Sequence, residues 1–381
     1  QVACGPCNSY SAHLYEVLGA ELGPEDGMTM KNSFCEELVA ACEGEIDFPT
    51  YDGESYCEKH TLGSSSDAYW SYPLDPEELT FESTGLVDAF PDLPTSALPS
   101  DLICMHMTPD GDEWWLGGQD GQLVKVNADG ATSSDLVLDI SSGADLLVAY
   151  EEGLLDFAFN PAFNSNNYFY MSYTIQDNEG TKNRLSRFTY SSTVAATLES
   201  IDIILTSEVK ATSIHSAGWV GFKPSDYASP SGSSHDIYWA IGDGGPQTDP
   251  LGTGQNTSNL LAAMIRVSVP SGTGASNVGY TIPSGNYPGV REEICAPGFR
   301  NPFRCGFNSA NDDLYCGDVG HTMVEEVDIV ECGENYGWNR FEGSRCQEAV
   351  EDIYGDCDGA SRSGFTFPIY EFCHTDYFST D

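Results

Sequence analysis

From residue 101 onward, short apolar runs alternate with polar turns. The runs Ile103–Thr108, Glu113–Gly117 and Gln122–Asn127 are each five or six residues long, and an Asp-Gly pair separates each run from the next. Runs of this length are typical of strands, whereas helices need longer periodic segments, and Asp-Gly pairs favour tight hairpin turns. The pattern therefore predicts a three-stranded antiparallel meander.

Comparable units follow along the chain. They cover residues 154–190, 201–269 and 292–345, and the apolar stretch 365–372 indicates the start of a fifth unit. Repeated meanders are typical of β-propeller blades, whereas a β-sandwich has similar strands without the repetition. We therefore predict an all-β fold, with a β-propeller over residues 101–381.

The first 60 residues have a different composition, with five cysteines and a short amphipathic pattern over residues 33–42. In a helix, Cys35 and Cys42 would lie on one face, two turns apart. A unit this small buries little apolar surface, so disulfides must stabilise it. We predict a small disulfide-rich helical domain over residues 1–60, followed by a Ser-, Pro- and Asp-rich linker over 61–100.

The chain is strongly acidic, with 59 Asp and Glu against 15 Lys and Arg and a formal net charge of −44. Such a surface repels nucleic acid and anionic membranes, so we exclude both as partners. No run of eighteen apolar residues exists, so no membrane insertion is predicted. The charge serves either solubility in a saline or calcium-rich exterior or a carboxylate-rich assembly held together by divalent cations.

The cysteines indicate the compartment. Thirteen are scattered along the chain, and only Cys4 and Cys7 form a CxxC pair, which favours disulfides in an oxidising environment. We therefore expect a secreted, extracellular protein whose leader was removed before Gln1. Because the number is odd, at least one cysteine is unpaired within the chain. It is either a free buried thiol or a bond to another chain.

Residues 298–338 form the most informative segment. It begins with Gly-Phe-Arg-Asn-Pro, continues with predicted strands over 303–307, 314–317 and 326–330, and ends with Asn-Tyr-Gly-Trp. Cys305 and Cys316 would face each other across the first two strands, and we predict a disulfide between them, with two free thiols as the alternative.

This segment, with the Leu-Leu-Asp-Phe-Ala-Phe stretch starting at residue 154, resembles the propeller of quinoprotein glucose/sorbosone dehydrogenases. It also resembles the non-catalytic relatives of those enzymes, the Hedgehog-interacting-protein-like proteins, to which the chain is most similar in layout. The resemblance covers residues 150–345 and extends less fully over 100–150. It implies a six-bladed propeller, of which the chain represents four to five blades. Residues 1–60 are similar to the folate-receptor-type domain that precedes the propeller in the Hedgehog-interacting-like branch.

The resemblance also assigns site residues. His215, in the turn Ile-His-Ser-Ala-Gly-Trp, corresponds to the general base, and Asp243 corresponds to the aspartate that orients it. Arg300 and Asn301 would contact pyrroloquinoline quinone. The carbonyl oxygens at Gly320 and His321 would hold a calcium ion, although the enzymes have proline at the second of these positions.

Three further features are read from the residues. The acidic, glycine-rich loop from Asp243 to Asp249 could itself bind calcium through these two carboxylates. Asn256-Thr-Ser is an N-glycosylation sequon. Trp219, Trp239 and Trp338 are interpreted as aromatic side chains that pack between blades rather than as sugar platforms.

Two functions follow from this reading. The first is a secreted binding or structural module built on a catalytically degenerate propeller, with calcium as a structural ion and an extracellular protein, a glycan or copies of itself as partner. The alternative is a quinone- and calcium-dependent dehydrogenase that oxidises the C1 hydroxyl of an aldose. Pyrroloquinoline quinone is a tricarboxylate, and the chain is poor in cationic side chains, which favours the first function.

Overall fold

The computed structural model describes residues 29–31, 61–62, 69–71, 90, 92–129, 131–141, 143–272, 279–347 and 362–373. The chain divides into two compact units, one of residues 1–89 with 375–381 and the other of residues 90–374. The helix predicted over 33–42 and the cysteines of the first 60 residues lie outside the described residues.

The first unit contributes three short strands to the described residues. These are β1 (Thr29–Lys31), β2 (Thr61–Leu62) and β3 (Tyr69–Ser71), paired antiparallel in the order β1-β3-β2. Strands β2 and β3 lie within residues 61–100, the stretch predicted to be a linker, so that stretch contains paired strands.

The second unit contains four antiparallel sheets of four strands each, which we call blades I to IV. Blade I comprises β4 (Leu102–Met107), β5 (Glu113–Gly118), β6 (Gln122–Asn127) and β7 (Asp135–Asp139). Blade II comprises β8 (Leu154–Phe159), β9 (Tyr168–Gln176), β10 (Thr181–Thr189) and β11 (Asp202–Thr206). Blade III comprises β12 (Ala217–Phe222), β13 (Ser234–Ile241), β14 (Ala263–Pro270) and β15 (Ile294–Pro297). Blade IV comprises β16 (Pro302–Phe307), β17 (Leu314–Asp318), β18 (Val324–Val330) and β21 (Tyr370–Cys373). The all-β propeller architecture predicted from the sequence is therefore confirmed.

Short elements connect these strands. They are the helices α1 (Phe163–Asn166), α2 (Val194–Glu199) and α3 (Pro224–Ala228), the 3₁₀ turns Thr95–Ala97 and Thr253–Gln255, and the hairpin of β19 (Phe341–Glu342) and β20 (Arg345–Cys346). Among the described residues, no helix has the length and apolar character needed to cross a membrane.

The turns of blade I follow the sequence pattern. Gly111 and Gly121, the glycines of the two Asp-Gly pairs, have φ values of +82° and +93°. This left-handed conformation is readily accessible to glycine because it has no Cβ. The pattern therefore located both hairpin turns of this blade correctly.

The fourth strand of each blade departs from the sequence prediction. The apolar stretch 365–372 predicts the start of a fifth blade, but β21 pairs with β18 and completes blade IV. Similarly, β11 completes blade II, although the pattern assigns residues 201–206 to the third unit. The long connection between β18 and β21 explains the error, because sequence periodicity cannot distinguish a late strand of one sheet from the first strand of the next.

Aromatic and aliphatic side chains pack between neighbouring blades. Between blades I and II, the indole of Trp115 makes edge contacts with Phe159 and Phe169 at centroid distances of 4.9 and 5.3 Å. Trp239 of blade III is fully buried and donates its Nε1–H to Ser172 Oγ of blade II at 2.9 Å. These contacts hold successive blades face to face.

Arg304 connects the first strands of all four blades. From β16, its guanidinium donates to the carbonyl oxygens of Ile103 and Leu155 at 3.0 and 3.4 Å and also to that of Gly218. Ile103, Leu155 and Gly218 are each the second residue of their strands, β4, β8 and β12. The first strands therefore surround a common axis, and Arg304 lies across it.

Two disulfides with both cysteines among the described residues stabilise blades III and IV. Cys305 and Cys316 are directly opposite in the β16–β17 register and form a disulfide, as their spacing predicts. The second disulfide, Cys295–Cys332, ties the last strand of blade III to the residues that follow β18 and was not predicted. Cys104 is a free buried thiol, and burial raises its pKa well above the usual value.

Candidate functional site

His215 lies in the turn immediately before β12. Its backbone has a left-handed φ of +53°, which is uncommon for a residue with a side chain and must be stabilised by its surroundings. The N–H of His215 donates to Glu151 Oε2 at 2.6 Å, and its Nδ1 is 2.6 Å from Asp243 Oδ1. The side chain is buried, so the imidazole has a defined position.

Asp243 lies two residues beyond the end of β13. Its Oδ1 also accepts the N–H of Gly245 at 2.7 Å, and its Oδ2 accepts the indole N–H of Trp338 at 2.8 Å. Because Asp243 accepts hydrogen bonds at both oxygens, we assign the proton of His215 to Nδ1. The lone pair is then on Nε2, which has no hydrogen-bond partner within the described part of the chain. This is the arrangement required of a general base.

A buried ion pair lies behind the histidine. Lys210 Nζ is 3.1 Å from Glu152 Oε1 and donates to Ser216 Oγ at 2.5 Å. Burial lowers the pKa of Lys210, while the neighbouring carboxylates act in the opposite direction. Glu151 and Glu152 therefore hold both ends of the 210–216 segment in place, one through the His215 amide and the other through Lys210.

Arg300 follows β15 and is 4% exposed. Its Nη1 donates to the carbonyl oxygens of Val319 and Gly320 at 2.8 and 2.7 Å, and its Nη2 donates to Gln247 Oε1 at 2.6 Å. The guanidinium also lies 5.5 Å from the ring centroid of Trp338, the same indole that binds Asp243. The structure thus brings Arg300 and the His215–Asp243 pair together around one tryptophan.

The side-chain amide oxygen of Asn301 lies in an unusual environment. Its backbone N–H donates to Asp318 Oδ1 at 2.6 Å, but its Oδ1 is buried and lacks a hydrogen-bond partner. Leaving a buried polar atom unpaired costs about 1–3 kcal/mol, so native proteins rarely do so without a reason. This orphan atom adjoins Arg300 in sequence, and the contact predicted between Asn301 and a cofactor remains a prediction.

The loop that contains Gly320 and His321 faces Arg300. Gly320 donates its N–H to Glu325 Oε2 at 3.0 Å, and a Cβ at this position would lie 1.6 Å from Val324 O, so only glycine fits. The next four N–H groups, from residues 321 to 324, all donate to one oxygen of Glu342. The sequence analysis missed Glu342, because Phe-Glu-Gly carries no motif signal and the contact joins residues about twenty positions apart.

The aspartates of the predicted calcium loop accept hydrogen bonds from N–H groups. Asp249 is bound at both oxygens by the N–H groups of Thr253 and Gly254, at 2.9 and 2.8 Å, and burial raises its pKa to about 6. Asp243 is bound by the three donors named above. Within the described ranges, no group of three or more His, Cys, Asp or Glu side chains is arranged to hold a metal ion. A calcium site between these two aspartates remains a prediction.

The remaining predicted residues lie as follows. Asn256 is exposed, next to the 3₁₀ turn Thr253–Gln255, and its Oδ1 accepts the N–H of Ser258 at 3.0 Å. Trp219, Trp239 and Trp338 are 7%, 0% and 2% exposed, which is typical of packing side chains rather than open sugar platforms. Trp338 has the additional role, not foreseen, of donating to Asp243.

Blade IV contains a cluster of three carboxyl groups beside the site, of which two, Asp318 and Asp328, are buried. Asp318 and Glu326 are opposite each other in the β17–β18 register, and Asp328 lies on the same face of β18. Burial, followed by the charge of neighbouring acids, raises the pKa of Glu326 and of Asp328 well above the usual range, and burial raises that of Asp318 to about 7. Both oxygens of Asp328 lack a hydrogen-bond partner. Ionisation of this cluster therefore destabilises the fold.

The fold is a propeller, and a His–Asp pair lies at the edge of blade III where β12 begins and β13 ends. These two features together define the class of protein. The sequence model of the glucose/sorbosone dehydrogenase family matches residues 100–375, and the chain belongs to this family.

Individual relatives match parts of the chain. The HIPL1 protein of Arabidopsis thaliana is 33% identical over 174 residues, which is 42% of this chain and 24% of that protein. Quinoprotein glucose dehydrogenase B of Acinetobacter calcoaceticus is 25% identical over 261 residues, which is 62% of this chain and 49% of that protein. The chain thus spans between a quarter and a half of the length of these two relatives.

Among solved structures, the quinone-bound aldose sugar dehydrogenase of Streptomyces coelicolor superimposes with a TM-score of 0.54 at 20% identity, covering 73% of this chain and 70% of that one. At this level of identity the similarity establishes the fold alone.

Proposed function

We propose that the His215 site oxidises a sugar hydroxyl, with His215 as the general base and pyrroloquinoline quinone and calcium as cofactors. The observation that carries this proposal is the 2.6 Å contact between His215 Nδ1 and Asp243, with Nε2 unpaired among the described residues. This pair is the minimum machinery for removing a proton from the C1 hydroxyl of an aldose.

The residues present fit such a cofactor. The quinone carries three carboxylates, and the guanidinium of Arg300 supplies a cation with planar, directional donors. The orphan Oδ1 of Asn301 supplies a polar atom that lacks a partner among the described residues. Arg300 and Asn301 would therefore hold the quinone, and the carbonyl oxygens of Gly320 and His321 are hard ligands of the kind that calcium prefers.

Each protein group has a defined task in this proposal. When bound, the quinone supplies the hydride acceptor. His215 Nε2 takes the proton of the sugar hydroxyl, while Asp243 keeps Nδ1 protonated and stabilises the imidazolium that forms. Trp338 fixes the second oxygen of Asp243, so that the carboxylate cannot rotate away from the imidazole. Lys210 and Glu151 hold the 210–216 turn and thereby the backbone of the base.

A second function is favoured by the contacts of Arg300. Each of its three guanidinium nitrogens donates to a protein oxygen, of Gln247, Val319 or Gly320. Lys210 is likewise committed to Glu152 and Ser216. These cations are already neutralised or hydrogen-bonded, which supports a degenerate site on a secreted, extracellular binding or structural module. Its partner would be a protein, a glycan or further copies of the chain, with calcium as a structural ion and a glycan on Asn256.

Quinone binding separates the two functions. Calorimetric titration of pyrroloquinoline quinone into the full chain, with 3 mM calcium chloride, should give a one-to-one complex that is weakened at least tenfold in Arg300→Gln. Arg266→Gln is the matched control, because Arg266 donates to Asn286 and Ser284 within blade III. Absence of binding at 100 µM quinone would refute the enzyme proposal and leave the binding module.

A further inference from the structure

Glu342 has an exceptional set of partners. Its Oε1 accepts four consecutive backbone N–H groups, from residues 321, 322, 323 and 324, at 2.8, 2.9, 2.7 and 3.2 Å. The side chain is 1% exposed, and its Oε2 accepts the amide of Gln347 at 3.3 Å. Hydrogen bonds to an ionised acceptor are about twice as strong as neutral ones, so this carboxylate fixes the whole 320–324 loop.

The orientation of the loop carbonyls follows from peptide geometry. In a trans peptide, the C=O of one residue points opposite to the N–H of the next. The N–H groups of residues 321–324 point towards Glu342, so the carbonyl oxygens of residues 320–323 point away from it. The Gly320 oxygen indeed accepts from Arg300 Nη1 at 2.7 Å, on the side of the site.

Glu342 also acts on the charge of these oxygens. A peptide group whose N–H binds an anion is polarised, and its carbonyl oxygen becomes a better ligand for a cation. Glu342 therefore fixes the direction of the carbonyl groups of Gly320 and His321 and would strengthen their oxygens as ligands for a cation.

We propose that Glu342 is the positioning residue of a divalent-cation site formed by the carbonyl oxygens of Gly320 and His321. The ion is of the calcium type, because the ligands are uncharged, hard oxygens and further positions are filled by water or cofactor. The inference rests on the proposed function, which places a cation at this loop. It adds that the affinity of the site depends on a carboxylate behind the loop.

The test measures cation binding in the absence of quinone and sugar. Terbium(III) is titrated into the full chain, and the emission sensitised by tryptophan is followed, with calcium as competitor. Trp338 lies beside Arg300, so the part of the signal that disappears in Trp338→Phe reports the site at this loop. Near-ultraviolet circular dichroism and the melting temperature establish that each variant is folded.

Glu342→Gln should weaken this component of binding about tenfold to a hundredfold, as loss of the groups behind metal ligands commonly does. Glu342→Asp keeps the charge but shortens the side chain by one methylene, and it should also weaken cation binding. This variant provides the test if Glu342→Gln does not fold. In a His321→Pro background, where one of the four N–H groups is absent, the cost of Glu342→Gln should be smaller, which a purely global destabilisation would not produce.

The outcomes distinguish the inference from the function on which it rests. Binding by the wild type with an unchanged affinity in folded Glu342→Gln and Glu342→Asp would refute the role of Glu342 alone. Absence of any component that depends on Trp338 in the wild type would refute the cation site itself and, with it, the calcium part of the proposed function.

Discussion

The disulfide Cys295–Cys332 should contribute more to stability than the disulfide Cys305–Cys316. The first closes a loop of 37 residues and joins blade III to blade IV, whereas the second closes a loop of 11 residues between strands that are already hydrogen-bonded neighbours. In the chain-entropy treatment, these loops correspond to about 4 and about 3 kcal/mol of the free energy of unfolding. Cys295 and Cys316 are both buried in the same cluster, so both pairs lose packing on removal and the expected difference comes from the loop lengths.

The comparison uses two double variants, Cys295→Ala/Cys332→Ala and Cys305→Ala/Cys316→Ala. Urea unfolding followed by circular dichroism should give a larger loss for the first pair, by about 1 kcal/mol or more. The second pair serves as the control for removing any disulfide from this region. An equal loss for both pairs, or a larger loss for the second, would refute the view that Cys295–Cys332 braces the boundary between blades.

Three further predictions concern buried groups. The folded-state pKa values of Asp318 and Asp328 are raised, so the contribution of these two protonated carboxyl groups to stability is fully present below about pH 4 and is lost as pH rises, for Asp318 mainly between about pH 4 and pH 7. Asp328→Asn should raise the melting temperature at pH 8 in EDTA and flatten its dependence on pH. A lower melting temperature at pH 8 would contradict this. Arg304→Met should lower the free energy of unfolding, measured by urea denaturation, by about 3 kcal/mol, because three carbonyl oxygens lose a charged hydrogen-bond donor. Arg266→Met is the control, and an equal loss of stability in both variants would argue against a bridge between blades. Peptide mass spectrometry should find Cys104 unlabelled by iodoacetamide in the folded chain and labelled in urea, since the thiol is buried and its pKa is raised; rapid native labelling would be inconsistent with this burial.

The sequence predicted the first three strands of blade I well because local signals determine them. Asp-Gly pairs mark the hairpins at Gly111 and Gly121, and alternating apolar residues mark the strands between them. The fourth strand of blade IV could not be placed in the same way. Its pairing with β18 spans more than forty residues of chain, and nothing in the stretch 365–372 specifies which sheet it joins.

The site shows the same division between local and distant determinants. His215 and Asp243 lie in turns next to β12 and β13, which are neighbours in one blade, so their contact follows once the blade is recognised. Trp338 reaches Asp243 from 95 residues away, and Glu342 reaches the 320–324 loop from a separate hairpin. Both contacts depend on how chain segments pack in three dimensions, and no spacing rule in the sequence encodes them.

The central claim is that His215 is the base of a quinone-dependent sugar oxidation. The most direct measurement supplies the full chain with pyrroloquinoline quinone and calcium and follows reduction of a dye acceptor by glucose and by glucose deuterated at C1. The account predicts turnover that is slower with the deuterated sugar and at least a hundredfold slower in His215→Ala, while quinone affinity stays within about twofold. Bound quinone without sugar-dependent reduction, or equal turnover in His215→Ala, would contradict it.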